Sequence, residues 1–300
     1  MSSTDGASEN DGAATASHER AGAFVSQTFL GLSPALASRL DNWGPELVNS
    51  LRLARRAGFA RHGLRDTWPR REQLHVGTDC SGAEAPIWAL RGMGIQHRHV
   101  FSCDVDPRVR SFLASTCPPA GPMYVDMLKR SLDELPPQSV YVCGFPCKAF
   151  STLRRHATKF LREKSAKPFF EVVRVLGRSR PLLAVFENVI GIKAVLSQVL
   201  SRMAQVPGCI VIVLPIDVTD LGEPVSRPRY YFLLVRQDVA VTTDVTILSS
   251  LVHSMYTACA RTEVVDHVSQ RMLPSSAPAV KLFIAEQTRK HEVIFPYMSP

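Results

Sequence analysis

The feature that most constrains this chain is an alternation of short apolar runs with helical segments, in which each apolar run ends at a turn. The apolar runs span Leu74 to Thr78, His99 to Cys103, Ser139 to Val142 and Leu182 to Phe186. Short apolar runs bounded by turn residues are typical of buried strands, and strands that alternate with helices form parallel sheets. The sequence therefore predicts an α/β fold with a mostly parallel sheet flanked by helices.

The first strand–helix–strand unit has the layout of a nucleoside-binding site. The tight turn Asp79-Cys80-Ser81-Gly82 follows the first strand, and Asp104 ends the second. In such units, backbone amides of the turn and a carboxylate after the second strand hold the ligand and its ribose. The turn lacks the full G-x-G-x-x-G pattern, which disfavours a dinucleotide. The alternative for Asp104 is an N-cap of the next helix, and Asp126 is a candidate partner of a purine amino group.

The strand that ends near Val142 leads into Gly144-Phe145-Pro146-Cys147, which places Cys147 just beyond its carboxyl end. Ligands of open α/β sheets bind at this edge, so a cysteine on a stiff Phe-Pro turn is a candidate nucleophile. The alternative is a small buried residue. The segment 148–167 carries seven basic residues against one acidic residue. This density favours contact with a phosphate backbone over a solvated face.

Further polar residues stand at or near two other strand ends. Glu187 follows the run that ends at Phe186, and Arg227 and Arg229 precede an apolar run that begins at Tyr230. A thiolate, a carboxylic acid and guanidinium groups form a coherent set for attack on an electron-poor ring. The thiolate adds covalently, the acid protonates a ring nitrogen and an arginine holds a ring oxygen. Taken singly, helix capping and surface ion pairing are the alternatives for these residues.

In order and spacing, these motifs resemble the cytosine-C5 DNA methyltransferase family from about Leu74 to Val235. The elements that carry the resemblance are Asp79-Cys80-Ser81-Gly82, Asp104, Asp126, Gly144-Phe145-Pro146-Cys147, Phe169-Phe170-Glu171, Glu187-Asn188-Val189 and Arg227-Pro228-Arg229. Gly-Phe-Pro-Cys followed by Glu-Asn-Val is far more specific than either element alone. The resemblance implies a Rossmann-like, S-adenosylmethionine-dependent methyltransferase fold that acts on a cytosine flipped out of double-stranded DNA.

The resemblance also implies a role for each candidate catalytic residue. Cys147 would attack C6 of cytosine, and Glu187 would contact N3 and the exocyclic amine. Arg229 would bind O2, with Arg227 supporting it. The C5 carbon would then take the methyl group of S-adenosylmethionine, and loss of the C5 proton would release the cysteine. The basic segment after the cysteine resembles the mobile loop that closes over DNA as the base is flipped.

For the cofactor, the resemblance implies a second group of residues. Asp104 resembles the acidic residue that holds the cofactor ribose, and Asp126 resembles the one that reads its adenine. Cys80, Ser81 and Gly82 resemble the loop under its methionine end.

The chain departs from the family at several positions. Cys80 stands where the family usually has an aromatic residue, Glu84 where it has a second glycine, and Lys148 and Val225 where it has glutamines. A glutamate in place of glycine would constrain the backbone and add negative charge near a cationic sulfonium. From residue 236 to 300 we find no convincing Arg-x-Leu-Thr or Gly-Asn-x-Val element. We expect a truncated product, a minimal divergent member, or a module completed by a partner chain.

Two alternatives to a DNA methyltransferase stay open. One is a non-catalytic nucleic-acid-binding or regulatory protein derived from this fold, which the missing C-terminal elements favour. The presence of Cys147, Glu187 and Arg229 favours the enzyme, since a binding protein has no chemical reason to keep all three. The other is a transfer-RNA cytosine-5 methyltransferase. Family members of that type usually carry Pro-Pro-Cys, and Phe145-Pro146-Cys147 therefore points away from RNA.

Composition limits the remaining possibilities. The net charge of +8 and the pI of about 9.3 suit a polyanionic partner. Seven scattered cysteines, without the paired Cys/His spacing of a zinc site, indicate a reduced intracellular protein and no metal. No apolar stretch approaches the ~18 residues of a membrane span, and the N-terminus does not resemble a secretory signal. We expect a nuclear location if the source is eukaryotic and a cytoplasmic one otherwise.

Four regions are predicted along the chain. Residues 1–25 form a disordered tail, and 26–73 form a helical, basic segment with helices at Pro34–Leu40 and Pro45–Arg56. Residues 74–236 form the catalytic domain that binds S-adenosylmethionine. Residues 237–300 form a short extension that is a candidate for a partial target-recognition region.

Overall fold

The computed structural model describes residues 34–65, 73–150, 160–162, 164–260 and 281, with side chains from residue 47 onwards. Residues 42–265 form one compact unit, and residues 1–41 with 266–300 form another. Within the second unit, only the start of the first helix and Lys281 are described. The predicted tail at 1–25 lies outside the described residues, as does most of the chain beyond 260. The four predicted regions stay a prediction.

One sheet of seven strands organises the described part of the larger unit. The strands are β1 (Leu74–Asp79), β2 (His97–Cys103), β3 (Met123–Tyr124), β4 (Val140–Cys143), β5 (Leu183–Val189), β6 (Cys209–Ile216) and β7 (Arg229–Arg236). They lie in the order β3-β2-β1-β4-β5-β7-β6. The first five pair in parallel, and β7 runs antiparallel to both of its neighbours. The predicted α/β class with a mostly parallel sheet is confirmed.

Helices cover both faces of this sheet. Within the described residues they are α1 (Pro34–Arg61), α2 (Ala85–Gly92), α3 (Pro107–Thr116), α4 (Lys167–Ser179), α5 (Leu196–Met203) and α6 (Val245–Cys259). Side chains alternate between the two faces along a strand. Phe232 and Leu234 of β7 accordingly join the core that contains α4 and α5, whereas Leu233 and Val235 pack against α6. No helix in the described residues is both long and apolar enough to cross a membrane.

The N-terminal helix differs from its predicted form. Two helices were expected, Pro34–Leu40 and Pro45–Arg56, but α1 is continuous from Pro34 to Arg61. Its second half packs closely on α6. A Cβ on Gly58 would lie 2.7 Å from Leu251 Cδ2, and His62 Nε2 lies 3.3 Å from Ser250 Oγ. This packing holds the second half of α1 in place.

Two other element ends also differ from prediction. Gly177 was expected to end α4, but the helix runs on to Ser179. Arg180 then caps it in the left-handed region with φ of 45°. The fifth strand was expected to end at Phe186, yet β5 continues to Val189. Antiparallel pairing with β7 extends it, since Glu187 lies opposite Tyr231.

A buried ion pair closes the carboxyl end of β1. Arg130 Nη1 donates to Asp79 Oδ1 at 2.6 Å, Nη2 donates to Oδ2, and the Tyr141 hydroxyl donates to Oδ2 at 2.6 Å. The arginine and aspartate side chains are 3% and 0% exposed. The guanidinium also lies 5.1 Å from the ring centroids of both Phe101 and Tyr124. The segment after β3 is thereby tied to the end of β1.

We predict that Arg130→Met destabilises the fold by about 3–5 kcal/mol, because it leaves the Asp79 carboxylate buried without a partner. The free energy of unfolding in urea measures this loss. Lys129→Met is the matched control. The Lys129 ammonium lies 3.8 Å from Asp126 on a side chain that is 84% exposed, so its removal should cost about 1 kcal/mol or less. Equal losses in the two variants would contradict the importance assigned to the buried pair.

Candidate active site

Cys147 lies on a turn that buried aromatic rings hold in place. It begins a short 3-10 helix that ends at Ala149, and its side chain is exposed. Phe145 and Phe150, which flank it, are 2% and 1% exposed, and their rings pack edge to face with centroids 5.9 Å apart. Phe145 also packs on Phe169 of α4. The backbone on both sides of the cysteine is therefore anchored in the core, while the thiol stays accessible.

The two cysteines of this segment have opposite environments. Cys143 is 1% exposed, and its pKa lies well above the usual range because of burial and, next, a hydrogen bond with Cys80. A thiol with a raised pKa stays protonated and is a poor nucleophile. Cys147 is exposed. Of these two cysteines, Cys147 is therefore the candidate nucleophile.

The turn that carries Cys147 is fastened to β5. The Asn188 side-chain amide donates to the Phe145 carbonyl at 2.8 Å, and Asn188 itself is 1% exposed. A Cβ on Gly144 would lie 3.3 Å from Glu187 Oε2, so a glycine permits the close approach of the carboxylate. The structure thus brings Glu187 to the backbone just before Cys147. The contribution of Asn188 was missed by the sequence analysis.

Glu187 forms an ion pair with a strand neighbour of β7. Arg229 Nε lies 2.7 Å from Glu187 Oε1, and the two side chains are 20% and 31% exposed. The arginine also donates from Nη1 to the Pro228 carbonyl at 2.8 Å. Tyr231 lies opposite the glutamate. Burial first, and the glutamate next, raise the pKa of its phenol, whereas Arg227 and Arg229 oppose this shift. The sequence analysis missed Tyr231, although its two-residue spacing from Arg229 places both on one face of the strand.

An aspartate outside the predicted site organises the loop of the arginines. Asp217 Oδ2 accepts a hydrogen bond from the Ser226 hydroxyl at 2.6 Å. Its Oδ1 accepts from the backbone amides of Arg227 at 2.8 Å and Thr219 at 3.2 Å. These donors, the Ser226 hydroxyl foremost, lower the pKa of Asp217 to about 2. An aspartate two residues before a threonine is a known turn signal. The bond from Asp217 to Arg227 is a tertiary contact, which no local pattern predicts.

The Asp104 carboxylate accepts one backbone hydrogen bond on each of its oxygens. Gly82 N donates to its Oδ2 at 3.0 Å and Asp106 N donates to its Oδ1 at 2.9 Å. Each oxygen therefore keeps further acceptor capacity. The alternative role as N-cap of α3 falls to Asp106 instead, which accepts from Arg108 N at 2.8 Å.

The three predicted residues of the turn after β1 have different environments. The Ser81 hydroxyl lies 2.8 Å from Thr78 Oγ1 and accepts from Cys103 N at 3.0 Å, so it ties β1 to β2 from a buried position. Cys80 takes a left-handed backbone with φ of 51°, and its sulfur lies 3.9 Å from Met127 Sδ. Gly82 alone of the three lines an open cleft. That cleft has a volume of about 360 Å³ and is lined by Gly82, Ala83, Asp106, Arg108, Val109 and Phe112.

Asp126 lies beyond β3 on the segment that Arg130 holds. Its Oδ1 accepts from Leu128 N at 2.9 Å, and its side chain is 23% exposed. Val125 beside it is 56% exposed, as is Val105 beside Asp104 at 67%. Two acidic residues at adjacent strand ends are each accompanied by an exposed apolar side chain.

We predict that Asp217 makes the melting temperature depend on pH, because its carboxylate binds Ser226 and the backbone of Arg227. Its pKa in the folded state is lowered to about 2, so its stabilising effect is complete above an unfolded pKa of about 3.9. The effect is lost as the pH falls towards 2. The difference in melting temperature between wild type and Asp217→Asn should be constant from pH 5 to 8 and should narrow below pH 4. A difference that persists unchanged at pH 2.5 would contradict the assignment.

Comparison with known proteins identifies the family. Residues 80–292 match the family model described as C-5 cytosine-specific DNA methylase. The type II methyltransferase M.NlaIV of Neisseria lactamica is 28% identical over 104 residues, or 35% of this chain and 24% of that protein. M.DsaV of Dactylococcopsis salina is 29% identical over 116 residues, or 36% and 31% of the two chains. The matched segment thus spans about a quarter to a third of the length of these relatives.

Among solved structures, the Dnmt2 methyltransferase of S. pombe aligns with a TM-score of 0.45 at 17% identity and covers 55% of this chain and 50% of that one. The family match extends beyond Val235 into the region where sequence analysis found no motif. Together with the mostly parallel seven-stranded sheet, it assigns the Rossmann-like fold of S-adenosylmethionine-dependent methyltransferases. The chain belongs to the C-5 cytosine-specific DNA methylase family.

Proposed function

We propose that this protein is a DNA (cytosine-5)-methyltransferase that methylates a flipped cytosine of double-stranded DNA through a covalent Cys147 adduct. One observation carries the proposal. The exposed Cys147 sits on a turn that is bonded through Phe145 to Asn188, next to the Glu187–Arg229 ion pair. Family membership supports the reaction class.

Cys147 would supply the nucleophile that makes the reaction possible. Cytosine C5 is unreactive until a thiolate adds at C6, because the addition makes C5 an enamine carbon. The Glu187 carboxyl group, as an acid, would protonate N3 and so neutralise the charge that the addition places on the ring. After methyl transfer, solvent water acting as a base would take the C5 proton. The electron pair of that C–H bond would re-form the C5–C6 double bond and break the C6–S bond, which regenerates the Cys147 thiolate.

The Glu187–Arg229 pair would fix the orientation of the base. Glu187 Oε1 is taken by Arg229 Nε, while Oε2 faces the backbone of Gly144, on the side of the Cys147 turn. A guanidinium is a fixed fork of donors, so Arg229 can pair with the glutamate and still donate to a ring oxygen. Arg227 would add positive charge from a loop that Asp217 holds through a backbone amide.

The residues at the ends of β1, β2 and β3 fit S-adenosylmethionine. When bound, this cofactor supplies an electrophilic methyl group on a sulfonium. Asp104 keeps acceptor capacity suited to ribose hydroxyls and Asp126 capacity suited to an amino group, while the exposed Val105 and Val125 offer apolar surface to a flat ring. Gly82, which lines the cleft, lets the backbone approach the ligand closely.

Positive charge supports DNA as the substrate. The net charge is +8, and the described basic residues of the segment 148–167 are all exposed. They are Lys148, Arg162, Lys164 and Lys167. Residues 151–159 and 163 of this segment lie outside the described residues. Contacts between such residues and phosphates would make binding weaken steeply with salt. With this substrate the protein would work in the nucleus of a eukaryote or in the cytoplasm of a prokaryote. A partner chain could complete its C-terminal part.

We predict that the protein transfers tritium from labelled S-adenosylmethionine to cytosine-rich duplex DNA, and that Cys147→Ala lowers transfer to background. Cys209→Ala is the control, since Cys209 lies opposite Arg236, at the far end of β6 and β7 from Arg229. Label on transfer RNA but not on DNA would favour the RNA alternative. No label with retained DNA binding would favour a non-catalytic protein.

We further predict that DNA containing 5-fluorocytosine traps the protein in an adduct that survives denaturing electrophoresis. Fluorine at C5 cannot leave as a proton does, so the thiolate is not expelled. Cys147→Ser should give at least a hundredfold less adduct, as a serine hydroxyl is rarely ionised at neutral pH. An equal yield from the serine variant would show that another residue is the nucleophile.

A further inference from the structure

Glu84, two residues after the Cys80–Gly82 turn, has a left-handed backbone and a fully buried side chain. Its φ and ψ are 56° and 41°, in the left-handed region, and it is 0% exposed. Cys80 is left-handed as well, with φ of 51°. Residues with a Cβ seldom adopt this region. Interactions elsewhere must therefore hold this short segment in its conformation.

Those interactions form a buried chain of polar side chains. Thr78 Oγ1 donates to Glu84 Oε1 at 2.6 Å, and His99 Nε2 lies 3.3 Å from the same oxygen. Thr78 Oγ1 also lies 2.8 Å from Ser81 Oγ. Because the single proton of the threonine hydroxyl points to the glutamate, the serine hydroxyl can donate to the threonine oxygen. The chain of contacts therefore runs from His99 through Glu84 and Thr78 to Ser81.

This chain ends beside the candidate cofactor site. Ser81 Oγ accepts from Cys103 N at 3.0 Å, and Ser81 N donates to Cys103 O at 3.0 Å. The residues that follow Ser81 and Cys103 are also bonded to each other, since Gly82 N donates to Asp104 Oδ2 at 3.0 Å. A shift of Ser81 would therefore displace both the amide and the carboxylate that are proposed to meet the ligand.

Stability alone does not account for a glutamate at this position. A glycine would adopt the left-handed backbone without strain. Among the described residues, Glu84 Oε2 and His99 Nδ1 have no hydrogen-bond partner although both are buried, and such atoms are costly to bury. The Glu84 side chain is fully buried and bonded to Thr78, and the expectation that it adds negative charge near a sulfonium stays a prediction.

We propose that Glu84 and His99 are positioning residues that hold the Cys80–Gly82 turn, through Thr78 and Ser81, in the conformation that binds the adenosyl cofactor. The identity of the ligand rests on the proposed function. The conformation of the turn does not, because it follows from the hydrogen bonds of the protein itself. Two independent measurements can therefore test the inference.

The first measurement is the affinity of the full chain for S-adenosylhomocysteine by calorimetry. Glu84→Gly removes the acceptor but suits the backbone, and it should weaken binding about tenfold. Glu84→Gln keeps an oxygen for Thr78 and should stay within about threefold of wild type. Thr78→Val removes the hydroxyl with little change of shape and should resemble Glu84→Gly. Thr116→Val is the matched control, because Thr116 Oγ1 donates only locally, to Phe112 O.

The second measurement is amide hydrogen exchange at Ser81 and Gly82 without ligand. Exchange should accelerate about tenfold in Glu84→Gly and Thr78→Val but not in Glu84→Gln or Thr116→Val. Wild-type affinity and wild-type exchange in both disruptive variants would overturn the inference and leave the proposed function standing. If wild type fails to bind S-adenosylhomocysteine, the proposed function fails, and the exchange rates still decide whether Glu84 holds the turn. Should Glu84→Gly not fold, Thr78→Val carries the test.

Discussion

The ion pair between Asp79 and Arg130 is the interaction that joins the end of β1 to the segment carrying Asp126. Asp79 ends β1, lies in register with Cys143 of β4 and directly precedes the Cys80–Gly82 turn. Arg130 ends the segment that carries Asp126. Because both charges are buried, moving that segment away from β1 would leave a carboxylate uncompensated in the core. The pair therefore fixes the turn and the second acidic loop with respect to one another.

Strand pairing and a side-chain hydrogen bond hold the residues that are proposed to be catalytic. Antiparallel pairing with β7 extends β5 through Glu187, and Asn188 of β5 binds the carbonyl of Phe145. The turn of Cys147 leaves β4, which lies between β1 and β5. The sheet order reverses between β1 and β4, and ligands of such sheets bind at this switch point. The strand order thus places the Cys147 turn between the Cys80–Gly82 turn and the Glu187–Arg229 pair.

The chain beyond β7 also supports the site. Tyr256 of α6 donates its hydroxyl to Asp220 Oδ2 at 2.6 Å, in the same short segment that Asp217 and Thr219 begin. That segment leads to the loop of Arg227. The match to the family model includes α6. A region in which no family motif could be read from the sequence therefore supports the loop that carries Arg227.

Much of the fold and of the site followed from the sequence because it depends on local chemistry. Short apolar runs bounded by turn residues located the strands, and the position of Cys147 after β4 follows from Gly144 and Pro146. Other features depend on which strands become neighbours, and residues far apart in the chain decide that. Examples are the extension of β5 through Glu187 and the burial of Glu84 against His99. The sequence by itself determined which reactive groups are present and on which strand ends; only the tertiary structure decided which of them meet, because hydrogen bonds and burial join residues that no local pattern links.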